Sequence, residues 1–148
     1  MRTVRRLLTR LTTRRSGSVG RVAVTYAPRR DGRPDPGEVV WGWVPYEEDA
    51  TRGKDRPVLL VARAGTELLG LMLSSKDHDR DAAQEARAGR HWMDVGTGGW
   101  DREARPSEVR LDRLITLAES GVRREGAALE RSRFDAVVAA AQALGTLD

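Results

Sequence analysis

Residues 37–61 read GEVVWGWVPYEEDATRGKDRPVLLV, and the fold is decided here. Two apolar runs, Val39–Val44 and Val58–Val61, have the length of strands and are rich in β-branched or aromatic residues. Between them Pro45 to Asp55 form eleven mostly polar residues carrying both charge signs, with a glycine at 53. Loops of that length inside a compact domain are more often functional than idle. Arg56 and Pro57 follow at once, which sets an arginine at the mouth of the second strand. Pro57 biases Arg56 toward an extended backbone and so fixes the direction of its side chain. A fixed guanidinium beside a long polar loop suits capture of a planar oxyanion such as phosphate.

Outward from this pair, Leu68–Leu73 is short and apolar throughout, the pattern of a buried strand closed by Ser74-Ser75-Lys76. The chain then turns sharply polar through Asp77-His78-Asp79-Arg80-Asp81, and residues 82–90 hold a helical turn or a loop. His91–Val95 reads as a strand ended by Gly96, Gly98 and Gly99. From Val109 the alternation is expected to set Val109, Leu111, Ile115 and Leu117 on one face of a single strand. Arg113 interrupts that face, which marks an edge or a site. Gly121–Gly126 reads as a charged turn. The last element is a helix from Ser132 as N-cap, with Phe134, Val137, Val138 and Ala141 as its stripe and Gly145 at its stop.

Upstream, Val4, Leu7, Leu8 and Leu11 make an apolar stripe on a short Arg-rich helix, of the kind that docks on its own domain or lies on nucleic acid or anionic membrane. Arg21–Ala27 alternates like a strand, and residues 28–36 have linker chemistry. The division is therefore 1–36, a basic extension, and 37–148, the main domain. Several short strands with one terminal amphipathic helix argue for a mainly β fold, a small barrel or curled sheet with a helix packed on it.

Composition narrows the function classes. The 148 residues suit one domain, and the absence of cysteine removes disulfides and thiolate metal sites. No run is long and apolar enough to span a membrane, and no secretory signal is evident, so a cytoplasmic location without a membrane partner is expected. The net charge of +4 hides an asymmetry: ten Arg and two Asp give residues 1–36 a balance of +8, leaving −4 for the rest. That arm suits RNA or another polyanion.

GEVVWGWVPY followed by GKDRPVLLV resembles the opening of the PemK/MazF family of toxin endoribonucleases. The resemblance continues through LLGLMLSSK (68–76) and SEVRLDRLITL (107–117) to the closing helix. It implies an SH3-like barrel that pairs into a homodimer. It also implies a metal-independent endoribonuclease that cleaves single-stranded RNA, mRNA above all, to 2′,3′-cyclic phosphate and 5′-OH ends. A cognate antitoxin protein would hold it inactive, no cofactor is needed, and DNA binding is a further property to expect. Carried over residue by residue, the Arg of Gly-x-Arg-Pro is Arg56, for phosphate stabilisation and proton transfer. The hydroxyl ending the third strand is Ser75, where the family commonly has Thr.

Cleavage of this type needs a base for the 2′-OH, a cation for the developing charge and a donor for the departing 5′-oxygen. His78, flanked by Asp77 and Asp79, is the candidate base. Lys54, Lys76 and Ser74 beside the catalytic positions suit RNA phosphates. Trp41 and Trp43 are read as facing opposite ways, so that one packs inside and the other, Trp43, stacks a base or lines a dimer contact. Neither acidic segment, Glu47–Asp49 or Asp77–Asp81, matches a metal-ligand motif, so no metal site is expected. The rival reading is a catalytically silent barrel that binds RNA or protein through its arm. A peripheral membrane protein using residues 1–15 is weaker.

Overall fold

The computed structural model describes residues 23–75 and 82–148. The two apolar runs of the opening stretch form an antiparallel pair, β1 (Glu38–Pro45) and β2 (Gly53–Ala64), in register from Val39↔Leu59 to Pro45↔Gly53. The ladder therefore runs five residues further into the polar segment than the hydrophobic pattern indicates. Lys54, Asp55 and Arg56 pair with Val44, Trp43 and Gly42. The expected eleven-residue loop shrinks to residues 46–52, closed by Tyr46 N–H donating to the Arg52 carbonyl at 2.8 Å. Main-chain pairing does not need apolar side chains, and Gly53 permits it here. A Cβ at that position would lie 2.8 Å from the Trp43 ring.

β3 (Glu67–Ser74) pairs with β2, with Val58 opposite Met72. It then divides its free edge. Residues 67–70 take β6 (Ile115–Ala118), and Leu73 and Ser74 take β5 (Ser107–Arg110), which in turn carries β4 (Trp92–Gly96). β7 (Val122–Ala128) lies on the outer edge of β1. The result is a seven-stranded antiparallel sheet, β4-β5-β3-β2-β1-β7 with β6 also on β3. A short helix α1 (Ala82–Arg87) precedes β4, and α2 (Arg131–Ala143) closes the chain.

Three expectations for the second half of the chain are corrected. The segment from Val109 is two strands, because the chain bends at 111–114: Val109 and Leu111 enter one core cluster, Ile115 and Leu117 another. The charged turn at 121–126 is the start of β7, a strand whose polar side chains concealed it. Ser132 is not the cap of α2; Glu130 holds that position and Ser132 Oγ donates to its Oε1 at 2.9 Å. The helical stripe Phe134, Val137, Val138 and Ala141 is buried as read, and Gly145 stops the helix at φ +82°.

Both faces of the central strands are covered, which is why VLLV and LLGLML read as continuous apolar runs. Odd-numbered β2 residues such as Leu59 and Val61 meet α2, Trp100 and Val95. Val40, Val44, Val58, Leu60 and Met72 face the other way, against Ile115, Leu117 and Trp92. Trp41 and Trp43, two residues apart, lie on the same face of β1 rather than opposite faces. Their fates differ by position along the strand: Trp41 donates to the Trp100 carbonyl at 2.8 Å, while Trp43 at the open end is 48% exposed.

Residues 23–37 run over the sheet without the strand expected at 21–27; the described part makes only isolated backbone bonds. Thr25 N–H donates to Val61 O at 2.9 Å and Gly37 N–H to Leu60 O at 2.8 Å. Tyr26 packs edge-on against Phe134 with ring centroids 5.0 Å apart, and its hydroxyl donates to Leu129 O at 2.7 Å. The buried Glu38 carboxylate accepts the Arg29 and Asp35 backbone N–H groups. Arg63 bridges Pro34 O and Glu119. The stripe of residues 4–11 lies outside the described residues.

Candidate active site

One end of the sheet gathers the chemistry. The β2–β3 register runs toward Arg56 on one strand and toward Ser74 on the other, so these two lie at the same end of the pair. Alternation puts Arg56 on the face of Val58 and Ser74 on the face of Met72, which is one face of the sheet. β5 brings Glu108 opposite Ser74, and β4 brings Trp92 opposite Arg110, on that same side. Loop 46–52 closes over this end.

Arg56 is half-buried, and among the described residues its side chain makes no hydrogen bond or ion pair. Its obvious partners are taken. Asp55 pairs with Arg123 at 3.0 Å, and Glu47 pairs with Arg110 at 3.0 Å. Among the described residues, an ion pair of Arg56 with Asp55 or a loop carboxylate, which would make this arginine merely structural, is not formed. A partly desolvated guanidinium without a carboxylate is poised for an external anion.

Arg110 does the reverse. It is 5% exposed, grips Asp112 through Nε and Nη2 (2.8 Å at the shortest), and reaches Glu47 with Nη2. Burial opposes its charge, but the two carboxylates outweigh burial and raise its pKa above the ordinary arginine value. Asp112 is likewise desolvated, yet Arg110 and the His91 backbone N–H (2.7 Å) hold its carboxyl below the usual carboxylate range. Since Glu47 stands in the β1–β2 loop and Asp112 after β5, this clamp ties the loop to the end of β5, beyond β3 in the sheet. Beside it Arg90 and Trp92 Nε1 both bond Glu85 of α1, at 2.8 and 2.9 Å. Arg113, half-buried, donates from Nη2 to Pro45 O at 2.8 Å.

Lys54 shares the Arg56 face and is exposed. Trp43, opposite Asp55, projects to the other face, so the structure does not bring it to Arg56. Ser74 is half-buried and Ser75 exposed at the end of β3. Lys76 and His78 lie outside the described residues. The other histidine, His91, is half-buried, with its main chain bonded to Asp112 and to Leu111 N–H. Among the described residues no group of three or more acidic or histidine side chains is placed to hold a metal, and no helix is long and apolar enough to cross a membrane.

A cleft of about 650 Å³ lies away from this site, between residues 28–33 and Ala127–Ala128. Its floor, Glu38, is already occupied by backbone N–H groups, so it is a joint between extension and sheet. The clamp Glu47–Arg110–Asp112 is what sequence reading missed. Its signal was present in VRLDR (109–113), two arginines and an aspartate inside an apolar alternation, of which only Arg113 stood out.

No similar protein is found among curated proteins. The sequence model of the PemK-like, MazF-like toxins of type II toxin–antitoxin systems matches residues 35–144, from the turn before β1 to the end of α2. Three quarters of the sequence, including every strand and the whole candidate site, falls inside that match, and the chain belongs to this toxin family.

Proposed function

We propose that the protein is the toxin of a type II toxin–antitoxin pair and an endoribonuclease, cutting single-stranded RNA without a metal ion and leaving 2′,3′-cyclic phosphate and 5′-OH ends. The observation that carries this reading is Arg56, an arginine half out of solvent with its neighbouring carboxylates engaged elsewhere. A scissile phosphodiester is the ligand such a group fits, bidentate and charge-assisted.

In this mechanism the RNA 2′-oxygen loses its proton to His78 and attacks the adjacent phosphorus. Arg56 steadies the charge that builds on the non-bridging oxygens and donates to the departing 5′-oxygen, which leaves protonated. Proton loss at one oxygen and gain at the other balance. The Ser75 hydroxyl and the end of β3 at Ser74 hold the phosphate, and Lys54 and Lys76 meet flanking phosphates. Trp43, on the other face at the rim, stacks a base outside the cleavage point.

In this account the fold is of the SH3-like barrel type, two copies form the working dimer, and a cognate antitoxin covers the site in the cytoplasm. Residues 1–36 act as a basic extension of domain 37–148. The experiment is cleavage of a single-stranded RNA with and without EDTA, with the product ends identified. Chelator-resistant cleavage to cyclic phosphate and 5′-OH ends is expected. Binding without cleavage would instead identify a silent nucleic-acid module, and cleavage lost with EDTA would overturn metal independence.

A further inference from the structure

Arg113 sits where β5 bends into β6, beside the clamp but outside its pairing. Its guanidinium carries five N–H donors. Among the described residues it uses one hydrogen bond, to the neutral carbonyl of Pro45. The carboxylates near it, Glu47 and Asp112, are both bonded to Arg110. Burial, with Arg110 and Arg56 as like charges close by, pushes its pKa below the ordinary value despite those carboxylates. A half-buried cation near two others and bonded, among the described residues, to nothing but a carbonyl is an unfavourable arrangement for a residue that merely supports a loop. A neutral donor would hold Pro45 at less cost. Its hydrogen bond to Pro45, opposite Gly53 at the end of the β1–β2 ladder, sets Arg113 at the same end of the sheet as Arg56, an arrangement that offers two cations to one polyanion.

We propose that Arg113 binds a second phosphodiester of the single-stranded RNA, next to the one held by Arg56, and so sets the strand's affinity and position. This rests on the ribonuclease reading of the site. Arg113 makes no proton transfer: it contributes to binding in ground and transition state alike, so its loss falls on KM.

The test uses the full chain, wild type and Arg113→Gln, on a fluorescent oligoribonucleotide, together with binding of the same oligonucleotide made uncleavable by 2′-deoxy sugars. For Arg113→Gln we expect KM and the dissociation constant to rise about 10–100-fold, the range of one charged hydrogen bond. The slope of log affinity against log salt should become shallower by about 0.7, one phosphate contact on a single strand. The pH profile of kcat should keep its shape. Equal KM, affinity and salt slope in a folded Arg113→Gln protein would overturn the proposal, as would a loss confined to kcat. Should Arg113→Gln fail to fold, Arg113→Lys carries the test: a raised KM with the salt slope kept supports it, and a wild-type KM overturns it. Wild-type protein that cleaves no RNA would sink the ribonuclease reading alone, since the binding arm still decides whether Arg113 meets a phosphate.

Discussion

Replacing Arg110 with Met removes the cation of the Glu47–Arg110–Asp112 clamp while keeping an unbranched, though shorter, apolar stem. Truncating one partner of a buried ion pair costs about 3–5 kcal/mol, chiefly because the other charge is left stranded. Here the stranding is incomplete. The Glu47 side chain is 53% exposed and rehydrates, whereas Asp112 at 16% does not and is left with backbone N–H donors, that of His91 among them. The low end, about 3 kcal/mol, is therefore expected at pH 7, a fall in Tm of roughly 6–12 °C for a domain of this size. The pH dependence has a definite sign. Asp112 has a folded pKa below its unfolded value, so its contribution is complete above the unfolded pKa and disappears as pH falls through the folded one. The gap between wild type and variant should be flat from pH 6 to 8 and shrink below about pH 4. Adding Asp112→Leu to Arg110→Met should recover more than half of the loss, because an apolar pair replaces a stranded carboxylate. Urea denaturation at several pH values is the assay. A loss under about 1 kcal/mol at pH 7, or a gap that does not change down to pH 3, would refute the reasoning.

Two further perturbations address the extension and the base. Tyr26→Ala should cost about 2–3 kcal/mol in chemical denaturation, somewhat below a fully buried aromatic, and Tyr26→Phe about 1 kcal/mol for the Leu129 hydrogen bond alone; no effect from either would make residues 23–37 a passive tail. His78→Gln should slow cleavage by on the order of 10²–10⁴ and abolish an acid limb whose apparent pKa is near or above ~6.5. A near-normal rate and profile would remove His78 from the mechanism.

The parts of this molecule legible in its sequence are those where side-chain pattern and backbone structure coincide. VVWGWV, VLLV and LLGLML announce buried strands because both their faces are covered, and the spacing of Phe134, Val137, Val138 and Ala141 announces a helix on one of those faces. Arg56 stood out through its place before Pro57 and its family motif. What escaped was structure held by main-chain bonds or by distant partners. Gly53–Arg56 and Val122–Ala128 pair as strands with few apolar residues to mark them. Glu47 and Arg110 are 63 residues apart, so only the fold brings them together. Tyr26, expected in a strand over 21–27, is instead held by its ring contact with Phe134, a partner that only the fold supplies.

The central claim is that Arg56 is the cation of a phosphodiester-cleaving site, and single-turnover cleavage of a single-stranded RNA by Arg56→Ala and Arg56→Lys tests it most directly. Arg56 has no ion-pair partner among the described residues, so neither change should lower Tm by more than a few degrees. The account predicts that Arg56→Ala retains its fold and loses cleavage below detection, and that Arg56→Lys loses most of it because a point charge cannot replace the bidentate fork. Cleavage at the wild-type rate by either folded variant would contradict the claim.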